Sequence, residues 1–319
     1  MFGCEFSRSI LAHQEFSLLL HLFQRFETRL TPVLFVWLWS TGFIGAKYGL
    51  PYAEPFTLLL YRMLITILLL GGLAFLMKSH WPSPVMALHT AVTGLLVHGF
   101  YLGGVFYAIE GGMPAGVAAL IVGLQPLVTA VAAVVVLREG VVIRQWLGLL
   151  LGLVGVTLVL WEKMGGSGEV GTVPLWPLVW ALIALIGISI GTVYQKRFGQ
   201  GVGLVPGTFI QYCAAGLFFA LGAGLLETGE VTWDIQLLLA MGWLVLGLSV
   251  GAVLLLMLLI RRGAASQVAS LFYLVPPVTA LEAYLLFDER LGVLALIGGV
   301  LTVLAVALVI VKKPSPRPL

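Results

Sequence analysis

The spacings in this chain that most resemble reaction chemistry are two pentapeptides. GISIG (Gly187–Gly191) and GLSVG (Gly247–Gly251) both fit the G-x-S-x-G pattern of a nucleophile elbow. That chemistry needs the serine on a tight strand-to-helix turn and a later histidine to take its proton. Both serines fall within long apolar stretches and no histidine follows His98, so neither is read as a nucleophile. Small residues at such spacings let helices pack closely. GSGEVG (Gly166–Gly171) fits the G-x-G-x-x-G of a dinucleotide site, but no strand precedes it and no βαβ unit surrounds it, which leaves a loop. His89 and His98 are nine residues apart. At about 100° per residue they face opposite sides of one helix and cannot share a metal. Cys4 and Cys213 are too distant in sequence to point to a disulfide framework or a thiolate site. No Walker loop, kinase signature or H-E-x-x-H is present. The chain is therefore not expected to be an enzyme, to carry a metal or cofactor, or to use ATP directly.

What remains is a set of ionisable side chains embedded in apolar sequence. Of 319 residues, 60% are hydrophobic and 10% charged, with a mean hydropathy of +1.08. A soluble chain is about one quarter charged. This chain cannot cover itself with polar surface, so the class is integral membrane protein and the expected partner is the lipid bilayer, with no nucleic acid. An ionisable residue inside a span is by default a functional candidate. Glu282 lies six residues before Asp288, which places it about 9 Å inside the boundary. Arg62 lies seven residues after Pro55, at about 10 Å. At these depths the two can meet and neutralise each other. His98 falls near the middle of the third span. Each has a plainer reading: a structural ion pair or an interfacial carboxylate for Glu282, a snorkelling side chain for Arg62, a packing histidine for His98.

Prolines mark where the helices carrying these groups must break. LVPPVTALEAYLLFDE (Leu274–Glu289) holds Pro276 and Pro277, and Pro126 follows Gln125 in an earlier span. Proline removes a backbone donor and frees the carbonyl four residues earlier. Freed polar backbone is tolerated at depth only beside protein or a watery cavity. Pro126, Pro276 and Pro277 are thus read as kinks, and Glu282, His98, Gln125, Arg62, Tyr101, Tyr273 and Gln211 as candidate substrate- or ion-binding residues. Two ordinary kinks with incidental polar neighbours are the plainer alternative. Trp39, Ser40, Tyr61, Tyr107, Tyr194 and Tyr212 are further polar or aromatic side chains in the same spans.

Charge-free gaps locate the elements that must position these groups. A membrane helix needs about 20 apolar residues. Ten helices are predicted, near 31–50, 56–77, 86–108, 114–137, 143–161, 175–196, 205–226, 235–260, 264–287 and 291–311. With the N-terminus inside, the inner loops hold Arg8, Arg25, Arg29, Lys78, Arg138, Arg144, Lys196, Arg197, Arg261, Arg262, Lys312, Lys313 and Arg317. The outer loops hold only Lys47, Lys163 and Arg290. That bias predicts a cell-membrane protein with both termini cytoplasmic. Residues 1–30 form an N-terminal extension, read as disordered or as a surface-lying amphipathic helix, and 312–319 a cytoplasmic tail.

The chain also repeats itself. AGVAALIVGLQPLVTAVAAVVVLRE aligns with ASQVASLFYLVPPVTALEAYLLFDE at an offset of 150 residues, matching Pro126 to Pro276, Thr129 to Thr279 and Glu139 to Glu289. Ser40 matches Ser189 at 149, and Tyr61 matches Tyr212 at 151. Gln125 then corresponds to Val275, and Ala132 to Glu282. Each half, 31–161 and 175–311, holds five helices. An odd number makes the second half enter from the opposite side, giving an inverted repeat, with 162–174 as a Gly-rich linker.

WLWSTGFIGAKYGLPYAEPFTLLLYR, HGFYLGGVFYAIEGGMPAGVAALIVGLQPLVTA and LVPPVTALEAYLLFDERL resemble the EamA-type branch of the drug/metabolite transporter superfamily. The resemblance spans residues 31–311 and both halves. It implies an all-α fold of two inverted five-helix repeats about a central cavity, and export of an amino acid, another metabolite or a drug. The expectation is an alternating-access exporter of a small metabolite, proton-linked or facilitative. Here Glu282 binds a proton or cationic group, His98 and Gln125 line the path, and Arg62 balances charge. Two alternatives are a flippase for lipid-linked substrates, which needs a cavity open sideways, and a membrane scaffold. For the latter GLLLG (Gly148–Gly152) would mediate a homodimer, although packing within the monomer explains it equally.

Overall fold

The computed structural model describes residues 30–113, 115–138, 142–165, 175–262, 268, 270–287 and 293–310. The extension before residue 30, most of the linker, the tail, and Asp288, Glu289 and Arg290 lie outside the described residues, with the expectations placed on them. α1 spans 30–49, α2 Pro55–Leu76 and α3 Pro84–Glu110; α4 comes in two pieces, Ala115–Val122 and Gln125–Leu137, and α5 spans Ile143–Gly165. In the second half α6 spans Leu175–Phe198, α7 Leu204–Leu226 and α8 Ile235–Arg262. α9 begins as a 3₁₀ turn, Leu271–Leu274, that runs into Val275–Phe287, and α10 spans Val293–Ile310. Five of these, α2, α3, α6, α7 and α8, are long and apolar enough to cross a membrane by length and composition.

Local chemistry sets the starts of these helices. Pro55 and Pro84 occupy first turns, where a missing N–H costs nothing. Asp234 caps α8 by accepting from the Gln236 amide at 2.8 Å. The prolines of the broken helices sit the same way. α4 is interrupted at Gly123 and Leu124 and restarts at Gln125 with Pro126 in its first turn, while Pro276 and Pro277 fall in the first turn after the 3₁₀ segment of α9.

The distribution of polarity is inverted relative to a soluble protein. Leu68, Phe75, Leu76 and Leu225 are exposed, while Arg62, Thr66, His98, Gln195, Gln211 and Ser249 are buried. Such an outside suits lipid, and such an inside gives the polar groups one another. Helices approach closely to do this. A side chain on Gly94 of α3 would place Cβ 2.3 Å from the Gln211 carbonyl of α7, and one on Gly187 of α6 would place it 2.8 Å from the Leu96 carbonyl of α3.

α5 on α10 and α2 on α7 pack extensively, as does α3 on both α6 and α7. The first two join helices that correspond under the repeat, as expected when a twofold axis passes between them. The turns fix its sense. Ala53 in the α1–α2 turn pairs antiparallel with Val231 in the α7–α8 turn, and Tyr52 O accepts from Thr232 N at 2.8 Å. At the opposite end Trp81, from the α2–α3 turn, meets Phe209 near the start of α7 edge-on at 5.4 Å. The first turn of one half thus neighbours the second turn of the other, which is the arrangement of halves running in opposite directions.

α3 and α8 share one further irregularity. Each widens into π-helical turns, Leu95–Phe100 and Leu244–Ala252, at corresponding places in the two halves. Such turns shift the face a side chain presents and are frequent at functional sites.

Candidate functional site

Each π segment carries one polar side chain into the centre, and each bonds to the opposite half. Ser249 of α8 accepts from Arg62 Nε of α2 at 2.8 Å. His98 Nε2 of α3 lies 3.2 Å from Gln211 Oε1 of α7. Because that oxygen can only accept, the contact requires the Nε2–H tautomer. Gln211 Nε2 in turn donates to Gln195 Oε1 of α6 at 3.1 Å. Tyr212 joins the two branches: its ring lies 4.6 Å from that of His98, and its hydroxyl donates to the Ser249 carbonyl at 3.5 Å. Four helices beyond α2 thus contribute to one buried polar chain.

A cavity of about 30 Å³ opens beside it, lined by Arg62, His98, Trp39, Tyr101, Phe43 and Leu248. That is room for a water molecule, not a metabolite. Tyr101 stacks on Trp39 with ring centres 5.9 Å apart and accepts from its indole N–H at 3.2 Å. Beyond this pair a smaller cavity of about 10 Å³ reaches Phe272, Val275 and Pro276 at the break of α9. A hollow between the halves is thus present, but too small for a metabolite.

The expected meeting of Arg62 and Glu282 does not occur. Arg62 is buried and turns to α8, whereas Glu282 turns to α1, its Oε1 accepting from Ser40 Oγ at 2.6 Å. Its Oε2 is buried without a hydrogen-bond partner. Among the described residues neither charge has an ion-pair partner. Depth along a helix sets a level but not a facing, and α2 packs chiefly on α7.

The other candidates divide. His98, Gln211, Arg62 and Tyr101 gather at the centre. Tyr273 does not: its hydroxyl donates to the Leu149 carbonyl at 2.9 Å, in the seam of α9 with α5. Gln125 is fully buried with no partner for either amide atom, and Thr129 one turn further on is likewise unpaired. Their helix packs on α6, apart from the His98 chain.

Three contributors escaped the sequence reading. Ser249 sits in the GLSVG pattern that was set aside, and its lone polarity in a long apolar span was the available signal. Gln195 lies near the charged end of α6 and had none. The third is a pair of carboxylates at the ends of α2 and α7. Glu227 accepts from the Phe56 and Thr57 amides, both at 2.7 Å, from Thr57 Oγ1 at 2.8 Å and from the Tyr107 hydroxyl at 2.6 Å. Glu54 accepts from Thr228 N, Thr228 Oγ1 and Gly229 N at 2.8, 2.9 and 3.1 Å. The free amides of a helix start attract carboxylates, and Pro55 marked that start.

Outside this interior a second, larger recess of about 590 Å³ lies between α1, α8 and α9, with Glu282 in its wall.

The family model described as the EamA-like transporter family matches residues 30–161 and 175–311. The uncharacterized transporter YvbV of Bacillus subtilis is 26% identical over 308 residues, covering 91% of this chain and 94% of that protein. The uncharacterized inner membrane transporter YedA of Escherichia coli K12 is 29% identical over 283 residues, covering 86% and 88%. A probable amino-acid metabolite efflux pump of Salmonella typhimurium is 25% identical over 293 residues, covering 84% and 90%. One solved crystal structure superposes with a TM-score of 0.72 at 22% identity, covering 88% of this chain and 95% of that one, which shows a shared fold.

Proposed function

The chain belongs to the EamA-like transporter family, and from that premise we propose that it exports a small carboxylate-bearing metabolite, amino-acid-like in size, by alternating access of its two halves. One observation carries this reading: the buried guanidinium of Arg62 faces the central cavity with no carboxylate partner among the described residues. An unpaired buried charge costs several kcal/mol. A substrate carboxylate is the partner that would offset this cost, and Arg binds carboxylates in a two-pronged geometry. Stacked Trp39 and Tyr101 offer a flat amphipathic wall to the rest of the molecule. His98 and Gln211 line the path, whereas Gln125, expected to do so, lies apart from it on α4. The similarity to a protein named as an amino-acid metabolite efflux pump agrees with this substrate class.

In this reading the cavity of about 30 Å³ belongs to a closed state, and rocking of the halves about the α2–α7 contact opens it to one side or the other. The positive-inside bias puts both termini in the cytoplasm. Glu282 carries the proton in any coupled cycle.

Arg62→Gln tests the substrate reading. In proteoliposome counterflow with amino acids, it should lower transport of the responding substrate roughly a hundredfold, the loss of a charge-assisted pair, while Arg62→Lys retains part. Equal transport by Arg62→Gln and the parent would refute the assignment. For coupling, Glu282→Gln should remove acceleration by a pH gradient yet leave exchange at equal pH. Retained acceleration would remove Glu282 from that role.

One observation favours the flippase reading, namely that the recess beside Glu282 opens sideways. Its wall argues against phosphate-linked lipids, because the charge it presents is negative.

A further inference from the structure

The recess between α1, α8 and α9 lies outside the central polar chain, and what it can hold does not depend on the export reading. Its volume of about 590 Å³ falls within the range of about 300–1,000 Å³ typical of small-molecule sites. Leu239 and Leu285 on its rim are exposed on the apolar flank of the helices, so it opens toward lipid. Two indoles shape it. Trp37 and Trp243 meet edge-on at 6.1 Å, and Thr41 fixes the second by accepting from its N–H at 2.8 Å. Glu282 is the one ionisable carboxylate of the wall; Tyr48 and Gln236, whose Oε1 accepts from the Tyr52 hydroxyl at 2.8 Å, add polar atoms, and the remaining lining is largely apolar.

That carboxylate discriminates between occupants. Glu282 is 8% exposed, one oxygen is held by Ser40, and the other has no partner. No cation pairs with it among the described residues. An ordinary acyl chain would leave this oxygen unsatisfied, and an anionic headgroup would be repelled. A single ammonium would supply both the missing donor and the countercharge, and aromatic faces nearby favour cations. We propose that the recess binds an amphipathic amine that arrives laterally from the bilayer, its ammonium on Glu282 Oε2 and its apolar part between Trp37, Trp243 and Leu285.

The test uses the full chain in nanodiscs of zwitterionic lipid and two probes of equal length, a chain-brominated alkylamine and the matching brominated alcohol, read by quenching of tryptophan fluorescence. The amine should quench saturably and the alcohol should not. Glu282→Gln should weaken the amine roughly tenfold or more, while Glu282→Asp keeps saturable binding. Trp37→Phe with Trp243→Phe should remove most of the quench without abolishing binding, read by displacement with unbrominated alkylamine in calorimetry. Amine and alcohol quenching alike, or Glu282→Gln binding the amine as well as the parent, would overturn the proposal and leave the recess to ordinary lipid. Should Glu282→Gln not fold, Ser40→Ala and Glu282→Asp still decide: both should retain amine selectivity, and its absence in the parent protein is fatal alone. Failure here leaves the Arg62 counterflow result untouched, since the alkylamine has no carboxylate.

Discussion

Ser40 and Ser189 stand in equivalent places, and so do Glu282 and Ala132, yet the two faces they build are opposites. On one, the Ser40 hydroxyl binds a carboxylate and a recess of about 590 Å³ lies alongside. On the other, alanine takes the place of glutamate and Ser189 Oγ has no partner. There α4 packs directly on α6, with Ala133 buried against Val193. Duplication supplied the same scaffold twice, and one side chain decides whether the seam between its helices is a site or a joint. Small apolar residues let the helices close, whereas a carboxylate keeps a demand for a partner that packing cannot meet.

Putting a glutamate at the closed face should have the largest effect. Ala132→Glu would put a carboxylate at a half-buried seam position with Ser189 as the donor the repeat offers, and should lower unfolding stability by about 3 kcal/mol, seen as a fall in the thermal midpoint in detergent. A midpoint equal to the parent's would mean that the closed face is as roomy as the open one. A finer comparison sets the serines against each other. Ser40→Ala removes a hydrogen bond to a charged group and should cost about 1.5–3 kcal/mol. Ser189→Ala removes an unpaired buried hydroxyl and should cost nothing or stabilise slightly. Equal costs for the two would erase the distinction.

Much of this frame was readable from composition. Long apolar runs gave the helices, prolines the places where two of them break, and the offset near 150 the two halves. Facing was not readable. A helix apolar all round has no polar stripe to orient it, so Arg62 and Glu282 could be placed by depth and still point apart. The π turns deepen the difficulty, because an added residue per turn rotates His98 and Ser249 away from the face a regular helix would assign. Gln211 was singled out, but its role as the bridge between His98 and Gln195 follows only from that rotation. Val275 was matched to Gln125, and the structure gives the pair different neighbours: one lines a cavity, the other lies unpaired in the α4 region.

The two acids clamp one end of the α2–α7 pair, and in the proposed alternating-access cycle that end would act as the hinge side of a door. Glu227 grips the start of α2 through three donors, and Glu54 grips the chain beyond α7 through three more. The far edge is closed by Trp81 against Phe209. That edge is held by packing, Trp81 and Gly71 against Phe209, without a carboxylate clamp among the described residues, so we predict the molecule opens there, at the edge the positive-inside expectation places toward the cytoplasm. Deuterium uptake by the amides of Phe56 and Thr57 should then be slower than at the start of α7, and the reverse order would put the hinge at the wrong end. On the export reading proposed above, an opening at that edge is the one through which cargo from within the cell would enter.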